Sequence, residues 1–231
     1  MTRSALIVAH GQPSDPAPAE ADMAAMARAV AEQMPGWQIR AATLAAPDAL
    51  KTALDTPENP AIFPFFMADG WFIRTMLPKR LSEAGHEGLR VLTPFGLLPD
   101  THALAIRAAR DATGAHGWAE ADTTLILAAH GSGRSPYPAE AARAIERTIA
   151  NETQFAAIRT GFIEEEPSLT DAARDAGGKA LCLPLFVARW GHVIDDIPDA
   201  LDTVGFTGHL LGPIGTHPDV PALIAAAIQR A

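Results

Sequence analysis

Short, unbroken apolar runs alternate along this chain with stretches in which apolar residues recur every third or fourth position. The first kind reads as strands buried on both faces, the second as helices laying one stripe against a sheet. Strands are predicted over 6–9, 37–44, 61–67 and 89–92. Between them fall a helix striped by Met23, Met26, Ala27, Val30 and Met34, and helices over 47–53, 73–83 and 101–113. The succession then returns. Strands are predicted over 124–129, 157–163, 180–187 and 209–211. Ala141, Ala142, Ile145 and Ile149 stripe one helix, and others cover 168–176, 197–201 and 220–228. Strands alternating with helices imply right-handed crossovers and a parallel sheet with helices on both faces. The expected class is α/β, with about four strands in each half.

The return extends to residues. Ala5-Leu-Ile-Val-Ala-His10-Gly11 comes back as Leu125-Ile-Leu-Ala-Ala-His130-Gly131, and Pro64-Phe-Phe-Met-Ala as Pro184-Leu-Phe-Val-Ala, each 120 positions on. Pro94-Phe-Gly returns as Pro213-Ile-Gly, 119 positions on. This internal duplication predicts two similar lobes with a cleft between them. The polar stretch 114–122 has no apolar stripe and sets the expected boundary, giving lobes 1–117 and 118–231.

Composition narrows the function classes. The net charge of −9, with no basic stripe, excludes a nucleic-acid partner. No apolar run reaches the ~18 residues of a membrane span. The start, Met1-Thr-Arg-Ser-Ala-Leu, reads as a strand rather than a signal peptide. The single Cys182, in a predicted strand, excludes an internal disulfide framework. A cytoplasmic protein without a membrane association is expected.

In parallel sheets, ligands gather beyond the carboxyl ends of the strands. His130 directly follows one predicted strand, Glu164, Glu165 and Glu166 follow the next, and His192 stands a few residues after a third. Two imidazoles and a carboxylate suit a divalent transition metal and leave coordination positions open, as a transfer site needs. The pattern leaves open which glutamate serves. The first half acts as an internal control. His10 corresponds to His130, but Phe72 stands where His192 does, and Leu44, Ala45 and Ala46 where the three glutamates do. Asymmetric polar residues on a repeated scaffold point to a site kept in the second lobe.

Other features change the picture less. Gly131-Ser-Gly-Arg134 lacks the lysine and glycine spacing of a nucleotide loop, so no nucleotide is expected. Asp196, before Ile197-Pro198, reads as a helix N-cap. Arg134 and Arg189 share loops with the metal-ligand candidates and suit an anionic ligand. Ser132 has no base and acid in a hydrolase order.

Taken together, Leu127-Ala-Ala-His130-Gly-Ser132, Phe162-Ile-Glu164 with Pro167-Ser-Leu169, and Pro184-Leu-Phe-Val-Ala-Arg-Trp-Gly-His192-Val-Ile-Asp-Asp-Ile-Pro198 resemble the sirohydrochlorin chelatase family. That resemblance implies two chelatase-like lobes. It also implies ATP-independent insertion of a divalent ion into sirohydrochlorin or a related tetrapyrrole, in siroheme or cobalamin biosynthesis. The ion, cobalt or iron (nickel fits the same ligands), is a substrate. His130, His192 and Glu164 match the family's metal-binding and catalytic positions, with Arg134 and Arg189 left to bind the ring's carboxylates. Two lobes in one chain make a monomer sufficient. The alternative is a metal or tetrapyrrole carrier that does not turn over. This chain departs from the family pattern in being one residue short between Glu164 and Pro167, and in placing Gly133 where an arginine usually follows the serine.

Overall fold

The computed structural model describes residues 3–56 and 58–231. Its elements alternate as the sequence pattern implies. They are β1 (Arg3–Ala9), α1 (Pro16–Glu32), β2 (Trp37–Thr43), α2 (Ala49–Leu54), β3 (Ala61–Pro64), α3 (Leu77–Glu83) and α4 (Pro99–Ala115). Then come β4 (Thr124–Ala129), α5 (Tyr137–Glu152), β5 (Ala157–Phe162), α6 (Leu169–Ala173), β6 (Ala180–Pro184), α7 (Gly191–Ile194), α8 (Asp196–Thr203), β7 (His209–Leu210) and α9 (Val220–Arg230). Prolines open several helices: α1, α5 and α9 each have one in the first turn, where its missing N–H costs nothing. Ser168 caps α6, its Oγ accepting from Asp171 N and donating to the Asp171 carboxylate.

Two parallel sheets result, ordered β2-β1-β3 and β5-β4-β6-β7. The central strands β1 and β4 are apolar from Ala5 and from Leu125 onward, and buried there on both faces. Leu6 and Val8 point into a core shared with Leu50, Leu54, Leu77 and Leu81, placing α2 and α3 on that face. Ile126 and Ala128 do the same against Leu169, Ile197 and Leu201 of α6 and α8. The first sheet is one strand short of expectation. Residues 89–92 pair with it only through an isolated bridge between Val91 and Ile62.

The compact units are 1–98 with 218–231, and 99–217, whereas the repeats run 1–117 and 118–231. The difference is an exchange of corresponding helices. In the first unit α9 packs on α1 and β3; in the second α4 packs on α5 and β6. Each repeat therefore gives its last helix to the other unit. No helix among the described residues is long and apolar enough to cross a membrane.

Candidate metal centre

The second unit gathers its chemistry at the carboxyl edge of its sheet. His130 leaves the end of β4, and its Nδ1 lies 2.9 Å from the Gly131 carbonyl oxygen. A carbonyl only accepts, so Nδ1 carries the hydrogen and the neutral ring keeps its lone pair on Nε2. The backbone brings Glu164 alongside. Past β5, the amides of Ile163 and Glu164 donate to the His130 carbonyl at 3.2 and 2.9 Å. Glu164 Oε1 then lies 4.0 Å from His130 Nε2. The neighbouring glutamates are occupied elsewhere: Glu165 Oε2 accepts from Ser132 N at 2.7 Å, and Glu166 Oε2 from Ser168 N at 2.9 Å. Glu165 thus ties the β5 loop to the loop that holds His130.

His192 sits in α7, a one-turn helix the hydrophobic pattern is too brief to reveal. Its ring meets that of His130 edge to face, with centroids 4.6 Å apart and planes at 87°. Its Nδ1 is 2.6 Å from Asp196 Oδ2. Asp196 is therefore not an N-cap. It is the first residue of α8, and its carboxylate turns back to the imidazole instead of the helix amides. Proline explains the interruption ahead of it. Pro198 has no N–H for the Ile194 carbonyl, and the chain breaks at Asp195, with φ −109° and ψ −67°. In the first unit Pro78 has the same effect on a different geometry. Residues Phe72–Met76 form a π-helical turn, with Leu77 N bonded to the Phe72 carbonyl.

So the structure brings His130, His192 and Glu164 together. It does not assemble them fully: among the described residues no three His, Cys, Asp or Glu side chains stand in metal-holding geometry. The rings touch each other and Glu164 is half-exposed, so closing on an ion requires side-chain rotation. Carboxylates of Glu164, Glu165, Glu166, Asp195 and Asp196 crowd these loops and give the edge a cation-attracting field. Arg134 and Arg189 lie exposed on the loops after β4 and β6. Cys182 is buried mid-strand, and burial pushes its thiol up to about 12, so it is an inert neutral group.

Relatives resolve what this edge belongs to. The CbiX family profile matches residues 124–231, the part that carries all three side chains. A solved structure of CbiX, the terminal enzyme for biosynthesis of siroheme in denitrifying bacteria, is 49% identical, covers 99% of both chains and superposes with a TM-score of 0.92. The chain belongs to the CbiX family. Among curated relatives of this CbiX-family protein is a sirohydrochlorin cobaltochelatase from Methanococcoides burtonii, 34% identical over 82 residues. That stretch spans 33% of the chain and 62% of the relative. The fold is shared more widely, by SirB from Bacillus subtilis with Fe3+, at 15% identity and a TM-score of 0.78 over 100% of the chain.

Proposed function

We propose that this CbiX-family chain is a tetrapyrrole metal chelatase. It inserts a divalent ion, cobalt or iron, into sirohydrochlorin or a related ring without ATP. The observation that carries the reading is the contact of two imidazoles beside one carboxylate, in a chain 49% identical to CbiX from end to end. The ion is a substrate, and His130 Nε2, His192 Nε2 and Glu164 hold it at the sheet edge with positions open to the ring nitrogens. Glu164 is the acidic ligand because its two neighbours already accept backbone hydrogen bonds. Arg134 and Arg189 pair with carboxylates on the ring's rim.

Insertion exchanges two pyrrole N–H protons for one dication. As the ion leaves a protein ligand for a ring nitrogen, that imidazole or carboxylate is freed and can take a proton. No phosphate enters this balance. The test is direct: purified protein, sirohydrochlorin and Co2+ or Fe2+, followed by the change in ring absorption. Insertion above the uncatalysed rate, lost in His192→Ala while the ring still binds, is the expected result. Ring or metal binding without insertion of cobalt, iron or nickel would leave a carrier instead.

A further inference from the structure

We infer that Asp196 is a positioning residue: its carboxylate holds His192 in the tautomer and rotamer that present Nε2 to the incoming ion. This rests on His192 being a ligand, as proposed above. At 2.6 Å the contact is a hydrogen bond, and a carboxylate accepts it, so Nδ1 is the protonated nitrogen of the neutral ring. His130 reaches the same state by another route, through the Gly131 carbonyl. Both rings then carry hydrogen on Nδ1 and leave Nε2 open. A ligating histidine is commonly steered in this way by a carboxylate or carbonyl behind it.

Two observations separate this role from a structural one. The pair is half-exposed, with 43% and 50% of the side chains accessible, and an exposed contact of this kind adds little to stability. It also spans the break at Asp195, so it anchors the ring of a one-turn helix to the longer α8. The first unit supplies the control. The prolines 78 and 198 and the histidines 10 and 130 recur in both copies, and so does the carbonyl contact of the first histidine, at 2.8 Å from His10 Nδ1 to Gly11 O. His192 and Asp196 are both replaced there, by Phe72 and Met76. A carboxylate serving the helix start would have reason to remain. One serving the imidazole has none once the imidazole is gone.

The test uses full-length wild type, Asp196→Ala, Asp196→Asn and Asp196→Glu, each also in a His192→Ala background. Asp196→Ala should raise the KM for Co2+ about 10–100-fold, the usual cost of losing an outer partner, with the KM for sirohydrochlorin unchanged and Asp196→Glu recovering part of the loss. In His192→Ala, which no longer inserts metal, the same substitution should leave Co2+ affinity, measured by calorimetry, unchanged, whereas in the presence of His192 it should weaken it. Nitrogen-15 NMR of the metal-free protein should show His192 as the Nδ1–H tautomer in wild type and a mixture in Asp196→Ala. If Asp196→Ala misfolds, Asp196→Asn carries the comparison. A metal KM within twofold of wild type, or a loss of Co2+ affinity as large in His192→Ala as with His192 present, overturns the proposal. Wild type that inserts no metal defeats the chelatase reading instead, and the tautomer then still decides what Asp196 does.

Discussion

His10 and His130 occupy equivalent places in the two units. Each leaves the end of a central strand, and each bonds through Nδ1 to the carbonyl of the following glycine, at 2.8 and 2.9 Å. Their neighbours differ. The His10 ring meets Phe72 at 4.2 Å and 67°; the His130 ring meets His192 at 4.6 Å and 87°. The same pocket of ring-on-ring packing is thus filled by a hydrocarbon in one unit and by a second donor in the other. The same contact to the glycine carbonyl recurs in both units, so the geometry of that histidine belongs to the fold. What turns the geometry into a candidate centre is His192, Asp196 and Glu164, where the first unit has Phe72, Met76 and Leu44.

The largest expected break in this comparison comes from the histidines. His130→Ala should lower kcat/KM for cobalt insertion by more than about 100-fold, beyond the cost of losing an outer partner, while His10→Ala stays within about threefold. Equal losses would mean that both units act on the metal. Glycine separates scaffold from chemistry next. Gly11 and Gly131 have φ of +78° and +71°, and an added Cβ would stand 2.5 Å from Thr43 Oγ1 or 2.7 Å from Glu165 Cγ. Alanine at either should cost roughly 2 kcal/mol, read by denaturant unfolding, but only Gly131→Ala should also slow insertion.

A graft runs the comparison in reverse. Phe72→His with Met76→Asp should give the first unit a second equivalent of Co2+ binding, weaker than the first because Leu44 supplies no carboxylate, and visible by calorimetry. The smallest effect concerns the packing of α4. Gln154 N and the Arg110 guanidinium both bond the Glu120 carboxylate and hold it below the usual range. A depressed carboxyl stabilises the fold above its ordinary value of about 4.3, and that contribution fades as pH falls through the lowered one. Arg110→Ala should therefore cost under about 1 kcal/mol near neutrality, and the gap in Tm to wild type should narrow in acid.

Much of this was legible from residues alone. The apolar runs placed β4 at its observed bounds, and the 120-residue interval aligned Phe72 with His192 before any coordinate did. Glu164 could not be told from Glu165 and Glu166 because all three follow one strand. Backbone hydrogen bonds distinguish them, and those depend on loop register. Asp-Ile-Pro suits a helix start, so local preference reads Asp196 as an N-cap; its contact four residues back crosses an interruption that local preference does not encode. The exchange of α4 and α9 was hidden for a different reason. An apolar stripe shows that a helix must cover a sheet, but either of two similar sheets satisfies it.

That exchange orders events on the ribosome. A chain made from its N-terminus holds every element of the 99–217 unit once residue 217 has emerged, whereas the other unit has its sheet early and lacks α9 until 218–231 follow. The half synthesised first is thus the half completed last, and in the interval the sides of α1 and β3 that α9 covers stay exposed.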